Sequence, residues 1–298
     1  MLRFLRGPLL GIIAGAIWFV NTIFWVYFFI VLAVFKFIVP IKFFRLACTN
    51  LLDDMASCWM SVNNVMINIC LNVKWQVDGD ITFKHDDWYL VIANHQSWTD
   101  IVVLMQVLNR KIPLLKFFLK KELIFVPLLG FAWWALDYPF MKRYSKSLLQ
   151  KKPHLKGKDI ATTRKACEKF KNIPVSIMNF VEGTRFNAMK HKKSKSTYQH
   201  LLAPKAGGIA YALQAMNGQI KYIVDVTIIY PKGSNTLWAF LSGRMNTVKI
   251  HLRKISVPDM LVGDYHNDRE FRVRFQQWLN ELWQEKDLLI ERELKHGL

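Results

Sequence analysis

From Leu9 to Val39 the chain is almost wholly apolar: Lys36 is the only charge, and Asn21 and Thr22 are the only other polar side chains. A helix needs about 20 such residues to cross the hydrocarbon of a bilayer. The run is too long for the apolar part of a signal peptide, and no clear small-x-small cleavage site follows it. Few soluble helices are apolar all round, so a buried core helix is the weaker alternative. Basic residues flank both ends, Arg3 and Arg6 before and Lys36, Lys42 and Arg45 after, so charge does not orient the segment. It either spans as one helix or turns back as a membrane-embedded hairpin, with residues 43–72 as a second helix packed on it.

Beyond residue 72 the pattern changes. Short apolar runs bounded by polar residues predict strands over Lys74–Val77, Tyr89–Ala93, Val175–Val181, Tyr222–Ile229 and Val248–Leu252. Helical periodicity covers 98–109, 160–171, 206–217 and 269–294. Alternation of this kind predicts an α/β fold, a mixed, largely parallel sheet flanked by helices, with the N-terminal hydrophobic helices as a membrane anchor. The expected division is residues 1–72 for the anchor and 73–298 for the α/β domain. Residues 117–140 are unusually greasy, which fits an acyl-chain groove, a bilayer contact or plain helix core equally. Phe271, Phe275, Trp278, Leu282 and Trp283 lie at helical spacing and are expected to pack in the core.

Two polar motifs follow strands. Asn94-His95-Gln96-Ser97-Trp98-Thr99-Asp100 comes directly after Tyr89–Ala93. An imidazole and a carboxylate at this spacing point to different faces of any helix or strand, so they meet only if a turn folds Asp100 back onto His95. Ser97 and Asp100 resemble a capping box, which would supply that turn and open a helix through Ile101–Leu108. His95 is then a base with an orienting partner. The plainer reading makes Asp100 a cap and His95 a loop residue. The second motif, Glu182-Gly183-Thr184-Arg185, shifts that balance. Gly183 lets backbone approach a ligand, and Arg185 offers a planar fork to a phosphate.

With both motifs in this order, the chain resembles the lysophosphatidic acid (1-acylglycerol-3-phosphate) acyltransferases, nearest in style to the family's bacterial secondary members. His95 and Asp100 match its His-x4-Asp signature; Glu182, Gly183, Thr184 and Arg185 match its Glu-Gly-Thr-Arg signature. Lys120–Leu123, Pro127, Gly130 and Lys142-Arg143 resemble the middle block, whose closing Arg binds acceptor phosphate. Pro204–Gly207 resembles the segment that follows Glu-Gly-Thr-Arg, and Val226–Pro231 matches the fourth block only loosely.

The resemblance implies a two-helix N-terminal anchor and a glycerolipid acyltransferase-like fold. It also implies acyl transfer from an acyl thioester, on coenzyme A or acyl carrier protein, to the free hydroxyl of 1-acylglycerol-3-phosphate, giving phosphatidic acid. His95 would be the general base and Asp100 its orienting partner. Arg185, Arg143 and Lys121 would hold the acceptor phosphate, with Glu182, Gly183 and Thr184 shaping that pocket. The expected place is a bacterial inner membrane, with the site on its cytoplasmic side. Another lysophospholipid acceptor and thioester hydrolysis remain as rivals, as does a non-catalytic basic protein that binds anionic membrane by charge.

Composition narrows the partners. The formal net charge is +19 and 52% of residues are hydrophobic. Such an excess attracts polyanions, and the hydrophobicity favours an anionic lipid surface over nucleic acid, for which no recognition motif is present. Cys48, Cys58, Cys70 and Cys167 form no metal-binding spacing and read as reduced, mostly buried thiols, so no metal cofactor is expected.

Overall fold

The computed structural model describes residues 7–79, 81–141, 167, 170, 173–194, 196–231 and 235–295. Two long helices open it, α1 (Pro8–Ile38) and α2 (Lys42–Cys70). The α/β part follows as β1 (Lys74–Asp78), β2 (Tyr89–Ala93), α3 (Thr99–Leu108), β3 (Leu115–Phe117), β4 (Leu119–Lys120), a 3-10 turn (Lys121–Phe125), α4 (Leu129–Ala135) and β5 (Phe140–Met141). After it come β6 (Ser176–Phe180), α5 (Ala188–Ser194), α6 (Ala206–Met216), β7 (Tyr222–Ile229), α7 (Leu237–Leu241), β8 (Thr247–Ser256) and α8 (Arg269–Lys295). The helix expected over 160–171 lies mostly outside the described residues.

Six strands form one sheet in the order β1-β8-β7-β2-β6-β3. Every pairing is parallel except β7 with β8, so the sheet is mixed and largely parallel. β2 lies inside the sheet and all five of its residues are buried. Its alternate residues serve two cores. Leu90 and Ile92 join the cluster under α6 and α8, while Tyr89, Val91 and Ala93 join the cluster under the ends of α1 and α2 and under α3. A strand covered on both faces has no polar side to show, which is why this one reads as a continuous apolar run.

The two N-terminal helices share their packing with the α/β part. Leu10 and Ala14 of α1 and Met66, Ile67 and Cys70 of α2 enter the core beneath β2 and β7. Val26, Phe29 and Ala33 pack against α2 and the inner face of α4. Lys36 near the end of α1 pairs with Asp137, just past α4. Lys116, almost wholly buried on edge strand β3, reaches Asp53 of α2 at 3.0 Å. The outer face of α1 is bare: Phe19, Val20, Phe24, Tyr27, Phe35 and Phe37 are exposed. By length and composition α1 can cross a membrane, and only 17% of its most apolar window is buried within the protein.

The greasy region 117–140 is neither one helix nor simply core. It breaks into short pieces, and α4 buries Ala132 and Ala135 while Phe125, Phe131 and Trp134 stay exposed. On α8, Phe271, Phe275, Leu282 and Trp283 are buried, as their spacing predicts.

Candidate active site

The sheet register brings the two motifs together. β2 and β6 are parallel neighbours with Ala93 opposite Phe180. Both chains leave the sheet at the same level, so Asn94-His95 and Val181-Glu182 emerge side by side at the carboxyl end, where ligands of such sheets gather. Cross-links then fix the two loops. His95 N–H donates to Glu182 Oε1 at 2.8 Å, and Phe186 N–H donates to the His95 carbonyl at 2.7 Å. The Asn94 side chain bonds both the N–H and the C=O of Ile228 on β7, each at 2.9 Å.

His95 Nδ1 lies 2.8 Å from Asp100 Oδ2. Asp100 is 1% exposed. Its Oδ2 also accepts from the N–H groups of Gln96 (2.6 Å) and Ser97 (2.8 Å), and its Oδ1 accepts from the Tyr230 hydroxyl at 2.6 Å. The imidazole lies flat on Phe180, ring centroids 3.9 Å apart. With Nδ1 committed to the carboxylate, Nε2 is the nitrogen left to exchange a proton with a ligand.

The expected capping box forms only in half. The Asp100 carboxylate reaches back to the Ser97 N–H, as such a box requires, but Ser97 Oγ accepts from Thr99 N–H at 3.1 Å instead of capping Asp100. The helix starts at Thr99 with no side-chain cap bond. Asp100 therefore both closes the turn and orients the imidazole, and the two readings of it describe one arrangement.

Glu182 departs from its expected place in the phosphate pocket. It is 1% exposed. One oxygen takes the His95 N–H and the other takes Leu202 N–H at 2.9 Å, so the carboxylate faces scaffold rather than ligand. Burial pushes its pKa up from 4.5 to about 7, with the two N–H donors only partly offsetting the lost hydration.

Around Gly183 (φ +70°) the chain turns outward. A Cβ there would lie 3.2 Å from Lys205 Nζ, so glycine serves both the positive φ and the close lysine. Arg185 is exposed and its guanidinium sits 4.9 Å from the centre of the Trp98 ring. Lys190 donates to Thr184 Oγ1 at 2.6 Å and to the Arg185 carbonyl at 3.0 Å. Arg185 and Lys190 follow Glu182 in the chain, and the Glu182 carboxylate is bonded to the His95 N–H. Lys121 is exposed at the start of the 3-10 turn, and among the described residues no hydrogen bond or ion pair joins it to either motif. Arg143 lies outside the described residues.

Sequence reasoning missed Tyr230, Phe180, Trp98 and Lys190 as neighbours of the site. Lys190 stands in a basic stretch with Lys192 and Lys193, a faint signal. Trp98 lies within the first motif and Phe180 shortly before Glu182, so their nearness was legible by position; Tyr230 meets Asp100 only through sheet order, which no local pattern encodes.

Residues 74–231, slightly over half of the chain, match the family model described as acyltransferase. The chain belongs to the acyltransferase family. This member is 27% identical to 2-acyl-1-lysophosphatidylinositol acyltransferase of Saccharomyces cerevisiae, over 70% of this chain and 62% of that protein. It is 26% identical to 1-acyl-sn-glycerol-3-phosphate acyltransferase gamma of Homo sapiens, over 58% of this chain and 44% of that protein. The chain spans between 44% and 64% of the length of the curated relatives it matches. Its fold is like that of the crystal structure of the 1-acyl-sn-glycerophosphate (LPA) acyltransferase PlsC from Thermotoga maritima, with a TM-score of 0.51 at 18% identity, covering 92% of this chain and 95% of that one.

Proposed function

We propose that this acyltransferase moves a fatty acyl group from an acyl thioester, on coenzyme A or acyl carrier protein, to the free hydroxyl of 1-acylglycerol-3-phosphate, giving phosphatidic acid. The observation that carries the reading is the buried Asp100 carboxylate 2.8 Å from His95 Nδ1, in a loop bonded through Glu182 to the one that carries Arg185.

Nε2 of His95 takes the proton of the acceptor hydroxyl as its oxygen attacks the thioester carbonyl. Asp100 stabilises the imidazolium that results. The tetrahedral intermediate collapses by breaking the C–S bond, and the proton on Nε2 passes to the departing thiolate. General-base help of this kind is worth roughly 100- to 10,000-fold. Arg185, steadied by the Trp98 ring, holds the acceptor phosphate with Lys190 behind it; Arg143 and Lys121 remain candidates for the same task. No acyl-enzyme is needed: Ser97 is buried and its hydroxyl is engaged with Thr99. The chemistry uses no metal or organic cofactor, because the thioester already supplies an activated acyl group.

The bare apolar face of α1 supports residence on a membrane, where the anionic lysophospholipid acceptor resides. The formal charge of +19 supports an anionic surface, at about 1 kcal/mol per basic residue close to it. A bacterial inner membrane, with the site on its cytoplasmic side, gains no support from the curated relatives named above, which come from yeast and human.

A second acceptor is favoured by a specific observation: the yeast relative's name specifies lysophosphatidylinositol, at an identity equal within one percentage point to that of the human relative. A panel of lysophosphatidate, lysophosphatidylinositol and no acceptor, each with labelled oleoyl-coenzyme A, tests the assignment. Product formed mainly from lysophosphatidate supports it. Preference for the inositol lipid replaces the acceptor, and thiol release without any acceptor replaces transfer with hydrolysis.

A further inference from the structure

Strand β7 runs past the end of β2: Ala93 pairs with Val226, and the strand continues to Ile229. The Asn94 amide fixes this overhang by taking both backbone groups of Ile228, and Gln96 Nε2 adds a bond to the Ile228 carbonyl at 3.2 Å. The residue that follows β7, Tyr230, is thereby held above the first motif. Its hydroxyl donates to Asp100 Oδ1 at 2.6 Å.

The four bonds to Asp100 divide unequally. Oδ2 serves the imidazole and the two backbone N–H groups of the turn, whereas Oδ1 has Tyr230 as its partner. A carboxylate with one oxygen unpartnered in a buried site loses stabilisation and gains freedom to rotate, exchanging the oxygen that faces the imidazole. Burial and the neighbouring carboxylate hold the Tyr230 phenol well above its ordinary pKa, so it stays a donor throughout the working range.

We propose that Tyr230 is a positioning residue of this site: its hydroxyl locks the Asp100 carboxylate in the orientation that presents His95 Nε2 to the acceptor hydroxyl. The inference rests on the acyl-transfer reading above. Tyr230 touches no reacting atom in it and acts through Asp100. The loosely matched fourth block of the sequence then has a definite task, to carry this phenol to the back of the base.

The test is a double-mutant cycle on the enzyme in detergent, with wild type, Tyr230→Phe, Asp100→Ala, the double variant and His95→Ala. Labelled oleoyl-coenzyme A and lysophosphatidate are the substrates, and kcat and KM are read separately. Loss of a hydrogen bond to a charged group predicts a kcat about 10- to 100-fold lower for Tyr230→Phe, with both KM values within about twofold. In the Asp100→Ala background the same substitution costs less than about twofold, because the group it acts through is gone. 4-Fluorophenylalanine placed at position 230 fills the space of the hydroxyl without donating, and gives the same loss even where the void left by Phe harms folding. Equal losses in both backgrounds, an effect on KM alone, or full activity with 4-fluorophenylalanine overturns the proposal. A wild type inactive on every acceptor overturns the acyl-transfer reading itself, whereas an active wild type, a dead His95→Ala and an unimpaired Tyr230→Phe overturn only the role of Tyr230.

Discussion

The backbone N–H of His95 donates to Glu182 Oε1 at 2.8 Å across a sequence separation of 87 residues. His95 is therefore held from two sides. Asp100 holds its ring and Glu182 holds its main chain, and the second motif is as much the scaffold of the first as a ligand site.

Glu182 makes stability depend on pH in a defined direction. Its folded pKa is raised from 4.5 to about 7, so the folded state binds this proton more tightly than the unfolded chain does. The associated stability is fully present below about pH 4.5 and is lost as pH rises through about 7. Thermal midpoints between pH 5 and 8 are predicted to fall more steeply for wild type than for Glu182→Gln, which has no proton to lose there. Parallel slopes contradict the assignment.

Lys286 of α8 is wholly buried, with Nζ 2.6 Å from Asp225 Oδ1 and 2.7 Å from the Val226 carbonyl on β7. Burial lowers its pKa, and the Asp225 carboxylate opposes that effect. Lys286→Met leaves Asp225 with Arg253, whose side chain is half exposed, as its remaining partner. The predicted cost is about 3–5 kcal/mol in urea unfolding. Adding Asp225→Asn to Lys286→Met recovers a large part of it, since no buried charge then stands alone. Additive losses would mean that the pair does not act as one unit.

Arg185 on Trp98 makes a claim about acceptor binding. Arg185→Ala raises the KM for lysophosphatidate by about tenfold or more, as expected for a lost charge-assisted contact to phosphate. Trp98→Ala removes a cation–π support worth about 0.5–1 kcal/mol and raises the KM by about two- to fivefold. Neither changes the KM for the acyl donor. Steady-state kinetics with each substrate varied in turn check both, and a donor-side effect would place Arg185 elsewhere in the reaction.

Phe125 and Phe131 are 81% and 60% exposed, and Phe131 belongs to α4, whose Ala132 and Ala135 pack against α1 and α2. The Phe125→Asp/Phe131→Asp double variant is predicted to lower the share of protein that floats with phosphatidylglycerol-containing vesicles, at unchanged thermal midpoint, with α1 holding the remainder. Unchanged flotation would confine the membrane contact to α1 and α2.

What the sequence made legible follows from how each element is stabilised. Tyr89–Ala93 and Tyr222–Ile229 are correct to the residue, because strands buried on both faces need uninterrupted apolar side chains. β3, β4 and β5 escaped notice, since two or three residues carry no periodicity and their pairing is decided by neighbours distant in the chain. The His95–Asp100 contact was not readable from its spacing alone, which fits a cap and a loop histidine as well; it took the second motif to favour the pair. The bonds from Tyr230 to Asp100 and from His95 to Glu182 were not readable at all, because each depends on which strands lie beside β2. Glu182 illustrates the cost: as a motif residue it read as part of a ligand pocket, and only its burial shows that both oxygens are spent on backbone N–H groups.

The most direct test of the account is acyl transfer by purified protein in detergent, with labelled oleoyl-coenzyme A and lysophosphatidate, wild type beside His95→Ala. The account predicts labelled phosphatidate from wild type and a rate at least about 100-fold lower from the variant at an unchanged thermal midpoint. Comparable rates from the two proteins would remove His95 as the base and contradict the mechanism.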